Sequence, residues 1–226
     1  MSFFWTRGAA SRWPSCRFDP VAAVVVRDLS VARGGVVLLH GLAFTVEPGA
    51  ALVLRGPNGI GKTSLLRTLA GLQPPVAGRV TGAGEDAAYA GHADGVKAQL
   101  TVAENLAFWA GVHGRALDDA VFRRFDLAAL RERLAGTLSA GQRRRLGLAR
   151  LAVTGRPVLL LDEPTVSLDA ASVAGFARWL QDAHLAQGGS AVIATHIDLG
   201  LHAPVLDLAP FRAPADAPGS AHEAFL

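Results

Sequence analysis

The 226-residue chain is poor in several residue types, and each shortage excludes a class of protein. Its one cysteine, Cys16, can form neither an intramolecular disulfide nor a cysteine-based zinc cluster, so a reducing compartment is expected. No apolar run approaches the roughly 18 residues that a membrane-spanning helix needs. Basic residues outnumber acidic ones by only 22 to 19, which argues against a nucleic acid as partner. These shortages favour a cytoplasmic protein without a membrane span.

The two ends of the chain differ in composition from its middle. Residues 1–20 carry three arginines and one acidic residue, but their apolar stretch is too short for a secretory signal. We expect this segment to be disordered or an over-long start, and residues 211–226, which are rich in proline and alanine, to be a flexible tail. The length between them suits one domain, predicted over residues 21–210.

A glycine-rich loop follows the apolar run at residues 51–54 and precedes a helix that starts near residue 62. Its glycines let backbone N–H groups point inward, which forms an anion-binding nest at a helix N-terminus. Lys62 can reach the terminal phosphates of a nucleotide, and the Thr63 hydroxyl can hold a bridging Mg²⁺. This complete P-loop predicts nucleotide binding. The residues expected to contact the nucleotide are Gly56, Pro57, Asn58, Gly59, Ile60, Gly61, Lys62, Thr63 and Ser64.

Strand and helix patterns place this loop in an α/β core. Apolar runs bounded by turn residues predict strands, and two capping-box patterns, Thr101 with Glu104 and Ser139 with Gln142, mark helix starts. We expect an α/β P-loop fold with a mixed sheet, an antiparallel β flank and a helical subdomain at about residues 101–154. A helix is also expected at about residues 170–187. The predicted strands are residues 22–32, 36–39, 42–46, 51–54, 79–80, 87–90, 158–161, 191–194 and 205–208.

An acidic pair closes the strand predicted at residues 158–161. Asp162, at the carboxyl end of a buried strand beside the P-loop, can hold the same Mg²⁺ through water. Glu163 would stand next to the γ-phosphate, where its carboxylate can deprotonate the attacking water, a role that contributes roughly 10²- to 10⁴-fold. These residues predict a hydrolase, and a nucleotide-binding module without turnover is the alternative.

A second helix start carries the pentapeptide Leu138-Ser139-Ala140-Gly141-Gln142, and Asp162 lies 20 residues beyond Gln142. With the P-loop, this pattern resembles the ATP-binding subunits of ABC transporters over about residues 24–209. The resemblance implies that residues 139–142 bind the γ-phosphate of an ATP held on the P-loop of a second copy. Two copies would then close head to tail around two ATP molecules. It also implies a dimer-contact loop at Leu168-Asp169 and catalytic roles for Lys62, Glu163 and the switch histidine His196.

Two positions depart from the general ABC pattern. His92 stands where a magnesium-contacting glutamine is usual, and a protonated imidazole would be repelled by the metal. Arg33 stands where an aromatic residue usually stacks on adenine, although a guanidinium can also stack on a flat ring. These departures, together with residues 91–109, resemble the cytochrome c biogenesis ATP-binding export family, the haem exporter ATPases.

That narrower resemblance implies a peripheral ATPase on the cytoplasmic side of a bacterial inner membrane. Its partners would be a membrane permease and other cytochrome c maturation proteins, and its ATP would serve haem export or the release of a haem-loaded chaperone. The permease is expected to dock between His92 and residues 106–109. There Phe108 and Trp109 would either contact the partner or pack in the core.

Two other functions remain open from the sequence alone. The chain could be the ATPase of an exporter for another cargo, such as a lipid, drug or peptide, because an isolated ATPase subunit does not contact cargo. It could also be a non-transport ABC ATPase of DNA repair or translation. That class commonly has long coiled-coil insertions or two cassettes in one chain, and this sequence has neither feature.

Overall fold

The computed structural model of the chain describes residues 22–91 and 93–214. The predictions made for residues 1–20, for His92 and for tail residues 215–226 lie outside the described residues. The described strands are β1 Val24–Arg33, β2 Val36–Val46, β3 Ala51–Arg55, β4 Ala77–Thr81, β5 Ala87–Ala90, β6 Val158–Asp162, β7 Ser190–Ala194 and β8 Val205–Asp207. The α-helices are α1 Lys62–Leu69, α2 Val102–Val112, α3 Ala120–Arg124, α4 Ala140–Thr154 and α5 Ala170–Trp179.

Five strands form a parallel sheet in the order β5-β6-β7-β3-β8. Every residue of β6 and β7 is buried, as central parallel strands covered on both faces require. The carboxyl ends of β3, β6 and β7 lie at the same edge of this sheet, where α/β folds bind their ligands. The topology therefore brings the P-loop, the acidic pair and the residues after β7 to one edge.

The other three strands form an antiparallel sheet in the order β2-β1-β4. The α/β fold with an antiparallel flank is thus confirmed, although the expected mixed sheet is divided into one parallel and one antiparallel sheet. The prediction of two strands at residues 36–39 and 42–46 is wrong, because β2 is continuous. Gly41, at φ +67°, does not end the strand, since bulges in β1 near Asp28, at φ +46°, absorb the irregularity.

Alternate residues of β6 contribute to two hydrophobic cores. Leu160 packs with α1 and the antiparallel sheet, while Leu159 packs with the helices on the opposite face. This alternation follows from the two-residue period of a strand. The parallel sheet is consequently covered on both faces, which holds its ligand-binding edge in place.

The helical predictions are largely confirmed. Both capping boxes are formed, at the N-termini of α2 and α4. The helix predicted at residues 170–187 begins at α5 and continues through one π turn and one 3₁₀ turn to Gln187. In the parts of the chain that the structure describes, no helix combines the length and the apolar character needed to cross a membrane.

Candidate functional site

The P-loop connects β3 to α1 through glycines with left-handed backbone conformations. Gly56, Gly59 and Gly61 have φ values of +148°, +81° and +118°. A Cβ atom at Gly61 would lie 3.1 Å from Leu39 Cδ1 and 3.2 Å from Leu38 Cβ. Glycine is therefore favoured at position 61 by its backbone conformation, and a Cβ atom there would also crowd the two leucines.

The N-terminus of α1 is open toward this loop. Its N-cap residue is Gly61, which has no side chain, and the first turn contains no acidic residue. The first backbone N–H groups of a helix have no partner within the helix, and the helix dipole adds partial positive charge there. The end of α1 is thus suited to bind an anionic phosphate group.

Lys62 lies folded over the loop. Its Nζ donates hydrogen bonds to Gly56 O at 2.7 Å and to Pro57 O at 3.3 Å, and it lies 3.3 Å from His196 Nε2. Only 8% of this lysine is exposed. The ammonium group is therefore held at the concave side of the loop, where it can exchange its carbonyl partners for phosphate oxygens.

Thr63 and Asp162 meet across the site. The Thr63 hydroxyl on α1 donates a hydrogen bond of 2.6 Å to Asp162 Oδ2 at the end of β6. A hydroxyl and a carboxylate are oxygen donors of the kind that Mg²⁺ prefers, so these residues fit the expected ion. Burial, and secondly the negative charge of Asp162, raises the pKa of nearby Tyr89, which remains a neutral phenol.

Glu163 and His196 face each other beyond the ends of β6 and β7. Glu163 Oε1 lies 3.4 Å from His196 Nε2, and the Glu163 N–H donates a hydrogen bond of 2.8 Å to Ala194 O at the end of β7. The side chain of His196 is about half exposed, whereas that of Glu163 is mostly buried. The ladder between the two strands thus brings together residues that are far apart in sequence.

The pentapeptide that begins at Leu138 lies at the N-terminus of α4 and makes a local structure. Ser139 Oγ accepts a hydrogen bond from the Gln142 N–H at 3.2 Å, and Gln142 Oε1 accepts one from the Ser139 N–H at 3.0 Å. Ser139 and Ala140 are exposed, and a Cβ at Gly141 would lie 2.9 Å from Ser167 O. Among the hydrogen bonds of the described residues, none joins residues 139–142 to the P-loop.

Arg144 is an organising residue that the sequence did not reveal. Its guanidinium, on a residue only 6% exposed, donates to Pro164 O at 2.9 Å, Gly91 O at 3.0 Å and Glu163 O at 2.7 Å, and pairs with Asp94 Oδ1 at 2.8 Å. A buried arginine needs such partners to offset its desolvation. It therefore ties α4 to the backbone of the acidic pair and to the segment after β5.

The remaining residues singled out from the sequence are in part hydrogen-bonded and in part exposed. Asp169 caps α5, because its Oδ1 accepts the Ser172 N–H at 2.7 Å, and this backbone hydrogen bond lowers the pKa of Asp169. Trp109 Nε1 donates to Gly95 O at 3.0 Å, whereas 40% of Phe108 is exposed. Arg33 is exposed at the end of β1.

Comparison with known proteins identifies the family of the chain. The family model of ABC transporters matches residues 39–166. The cytochrome c biogenesis ATP-binding export protein CcmA of Ruegeria pomeroyi is 62% identical over 198 residues, which are 86% of this chain and 97% of that protein. CcmA of Rhodobacter capsulatus is 63% identical over 198 residues, which are 87% of this chain and 92% of that protein.

A solved structure shares the fold. The ABC transporter ATP-binding protein from Pyrococcus furiosus has a TM-score of 0.76 and 24% sequence identity, over 85% of this chain and 100% of that one. The resemblance identified from the sequence motifs is confirmed. The chain belongs to the cytochrome c biogenesis ATP-binding export family of ABC transporter ATPases.

Proposed function

We propose that the chain is the ATP-hydrolysing subunit of an ABC transporter complex in cytochrome c biogenesis. Family membership supports the reaction and the process. The observation that carries the catalytic proposal is the convergence of three side chains at the P-loop. His196 Nε2 lies 3.3 Å from Lys62 Nζ and 3.4 Å from Glu163 Oε1.

In this proposal the backbone N–H groups at the start of α1 hold the phosphates of ATP, and Lys62 neutralises part of their charge. Thr63 and Asp162 would hold Mg²⁺, which stabilises the negative charge of the transferring phosphoryl group when it is bound. Glu163 accepts a proton from the attacking water, because its carboxylate lies 3.4 Å from His196, the residue proposed to contact the γ-phosphate. His196 donates a hydrogen bond to the γ-phosphate and orients it.

Residues 139–142 would complete the site of a second copy. The exposed N-terminus of α4 has the helix dipole and amide groups that favour phosphate, and among the described residues no hydrogen bond joins it to the P-loop of its own chain. A head-to-tail dimer would place it at the P-loop of the second copy. ATP binding would then close two copies, and hydrolysis would open them.

The partner in this proposal is a membrane permease, reached from the cytoplasmic side of the inner membrane. The exposed apolar side chains of Phe108 and Val112 on α2, which are 40% and 57% exposed, support α2 as part of the contact. Closure and opening of the dimer would drive haem export or release a haem-loaded chaperone. A different cargo remains the competing proposal.

Replacing Glu163 by glutamine tests the catalytic proposal. Glu163→Gln keeps the size and hydrogen-bonding atoms of the side chain but cannot take a proton, so turnover is expected to fall roughly 10²- to 10⁴-fold. ATP-bound dimers should accumulate, as measured by light scattering beside phosphate release. Glu132→Gln, at an exposed carboxylate, is the matched control. Undiminished phosphate release by Glu163→Gln would remove Glu163 as the base.

Loss of the gene tests the cellular role. Its deletion should abolish holo-cytochrome c while b-type cytochromes remain, and a plasmid with the unaltered gene should restore the c-type haem stain. A plasmid with the Glu163→Gln form should not restore it. A normal c-type haem stain in the deletion strain would favour the exporter of another cargo.

A further inference from the structure

The backbone of Glu163 is strained and is held from two sides. Its φ of +47° is left-handed, a conformation that a non-glycine residue keeps only where its surroundings determine it. The Glu163 N–H donates to Ala194 O of β7 at 2.8 Å. The Glu163 carbonyl oxygen accepts from Arg144 of α4 at 2.7 Å and from the Val166 N–H at 3.3 Å. The direction of the carboxylate therefore depends on α4 as well as on the parallel sheet.

The Arg144 guanidinium binds three consecutive backbone oxygens at the end of β6. Its Nε donates to Pro164 O at 2.9 Å, and its Nη2 donates to Glu163 O at 2.7 Å and to Asp162 O at 3.5 Å. Such a contact needs a planar group with donors on several atoms, which arginine has and lysine lacks. The contact is thus specific for arginine, and it includes the proposed base and both of its neighbours.

The segment between β5 and α2 holds the other side of the guanidinium. Nη1 of Arg144 donates to Gly91 O at 3.0 Å and to Asp94 Oδ1 at 2.8 Å. Asp94 lies close against α4, because a Cβ atom at Gly147 would be 2.8 Å from Asp94 Cβ. A guanidinium has five N–H donors, and these contacts provide five acceptors. Arg144 consequently has no free donor for a nucleotide.

We propose that Arg144 is a positioning residue for ATP hydrolysis, which holds the backbone of Glu163 so that the carboxylate faces the attacking water. This inference rests on the proposed function, in which Glu163 is the base. A base must lie within hydrogen-bond reach of the proton that it takes. A shift of the Glu163 backbone therefore lowers the rate of hydrolysis and leaves the binding of ATP at the P-loop intact.

Replacing Arg144 by lysine tests this role. Arg144→Lys keeps the charge but cannot bind the three oxygens together, so kcat for ATP hydrolysis should fall roughly 10- to 100-fold. The MgATP affinity, measured by calorimetry, should stay unchanged. Arg145→Lys is the matched control, because Arg145 is the next residue of α4 and pairs with Asp126, whose side chain is 89% exposed. Its kcat should equal that of the unaltered chain. Thermal unfolding establishes that each variant is folded at the assay temperature.

The Glu163→Gln background separates the positioning of the base from a general weakening of the fold. In that background, Arg144→Lys should not slow the residual hydrolysis further, because the carboxylate that Arg144 positions is already absent. Single turnovers of radiolabelled ATP measure this rate. The ATP-bound dimer should still form, as measured by light scattering. A further loss of rate, or loss of the dimer, would overturn the proposal by giving Arg144 a role in α4 or in the fold instead.

The other outcomes keep this inference apart from the proposed function. An unchanged kcat in folded Arg144→Lys, or an equal loss in Arg145→Lys, would overturn the positioning role. If Arg144→Lys does not fold, Asp94→Asn replaces it, because that variant keeps the guanidinium and removes the charge paired with it. Its kcat should fall roughly 3- to 10-fold, and an unchanged kcat would overturn the role. If Glu163→Gln hydrolyses ATP at an undiminished rate, the proposed base itself fails.

Discussion

The N-termini of α1 and α4 are both proposed to bind phosphate, but they are built differently. At α1 the N-cap is a glycine, and no side chain bonds the first N–H groups of the helix. At α4 the N-cap is Ser139, whose hydroxyl and N–H are both engaged with Gln142. Within one chain, no side chain caps the N-terminus of α1, whereas the side chains of Ser139 and Gln142 cap the N-terminus of α4.

This difference indicates how each end can act. No capping side chain has to leave the end of α1 before a phosphate binds there, although Lys62 has to exchange its bonds to Gly56 O and Pro57 O for phosphate oxygens. At α4 the Ser139 oxygen accepts the Gln142 N–H, so its own O–H can still donate to a phosphate oxygen. The end of α1 therefore offers uncapped backbone N–H groups, and the end of α4 offers a hydroxyl donor.

The N-terminus of α2 shows that a capping box alone does not indicate phosphate binding. The capping box of α2, formed by Thr101 and Glu104, has the same pair of hydrogen bonds as that of α4. Of these two capped ends, we assign a ligand only to that of α4, on the basis of its family motif. Experiments that treat these ends in parallel can separate capping from phosphate binding.

The largest expected effect is at α1. Lys62→Ala removes the charged partner of the phosphates, and hydrogen bonds to charged groups contribute about 1.5 to 3 kcal/mol, so MgATP should bind roughly 10- to 150-fold more weakly. Isothermal titration calorimetry measures this directly. The other lysine, Lys97, lies with its ammonium group 4.6 Å from the Phe108 ring, and Lys97→Ala is the control. Equal affinities for the two variants would remove Lys62 from the site.

An intermediate effect is expected at α4. Ser139→Ala and Thr101→Ala each remove an N-cap side chain, so both should lower the free energy of unfolding by about 1 kcal/mol. Only Ser139→Ala should also slow ATP hydrolysis, by roughly tenfold, because only that hydroxyl is proposed to contact phosphate. Urea unfolding and phosphate release measure the two effects. Similar hydrolysis rates for both variants would leave Ser139 with a capping role alone.

The smallest effect concerns pH. Hydrogen bonds from Thr101, first from its backbone N–H, lower the pKa of Glu104 below its ordinary value of 4.5. The stabilising contribution of this carboxylate is therefore fully present above pH 4.5 and is lost as the pH falls through the lower folded-state pKa. The α4 box contains the neutral Gln142 and should not respond. A carboxyl ¹³C NMR titration of Glu104 should have its inflection below pH 4.5. An inflection at or above pH 4.5 would contradict the expected difference between the two capping boxes.

The parts that sequence reasoning predicted depend on local patterns. Glycine spacing predicted the loop before α1, and the strand pattern placed Asp162 and Glu163 at the same sheet edge. The capping boxes were predicted because each is formed within four residues. In each case neighbouring residues determine the backbone conformation, so a single sequence contains the information.

The parts that it missed depend on distant contacts. Arg144 resembled part of an exposed basic run, yet it bonds to Gly91 and Asp94, about 50 residues away in the chain. Its spacing from the apolar residues Leu148 and Leu151 of α4 placed it on the buried face, and this was the available signal.

The backbone of Glu163 has a consequence for how this position can evolve. Its φ of +47° is a left-handed conformation that costs a non-glycine residue roughly 1 to 3 kcal/mol. A glycine would relieve that strain, but it would also remove the carboxylate proposed as the base. The residue at position 163 therefore lowers the stability of the fold while supplying the proposed base. Substitutions at this position that are selected only for thermostability should tend to inactivate the protein.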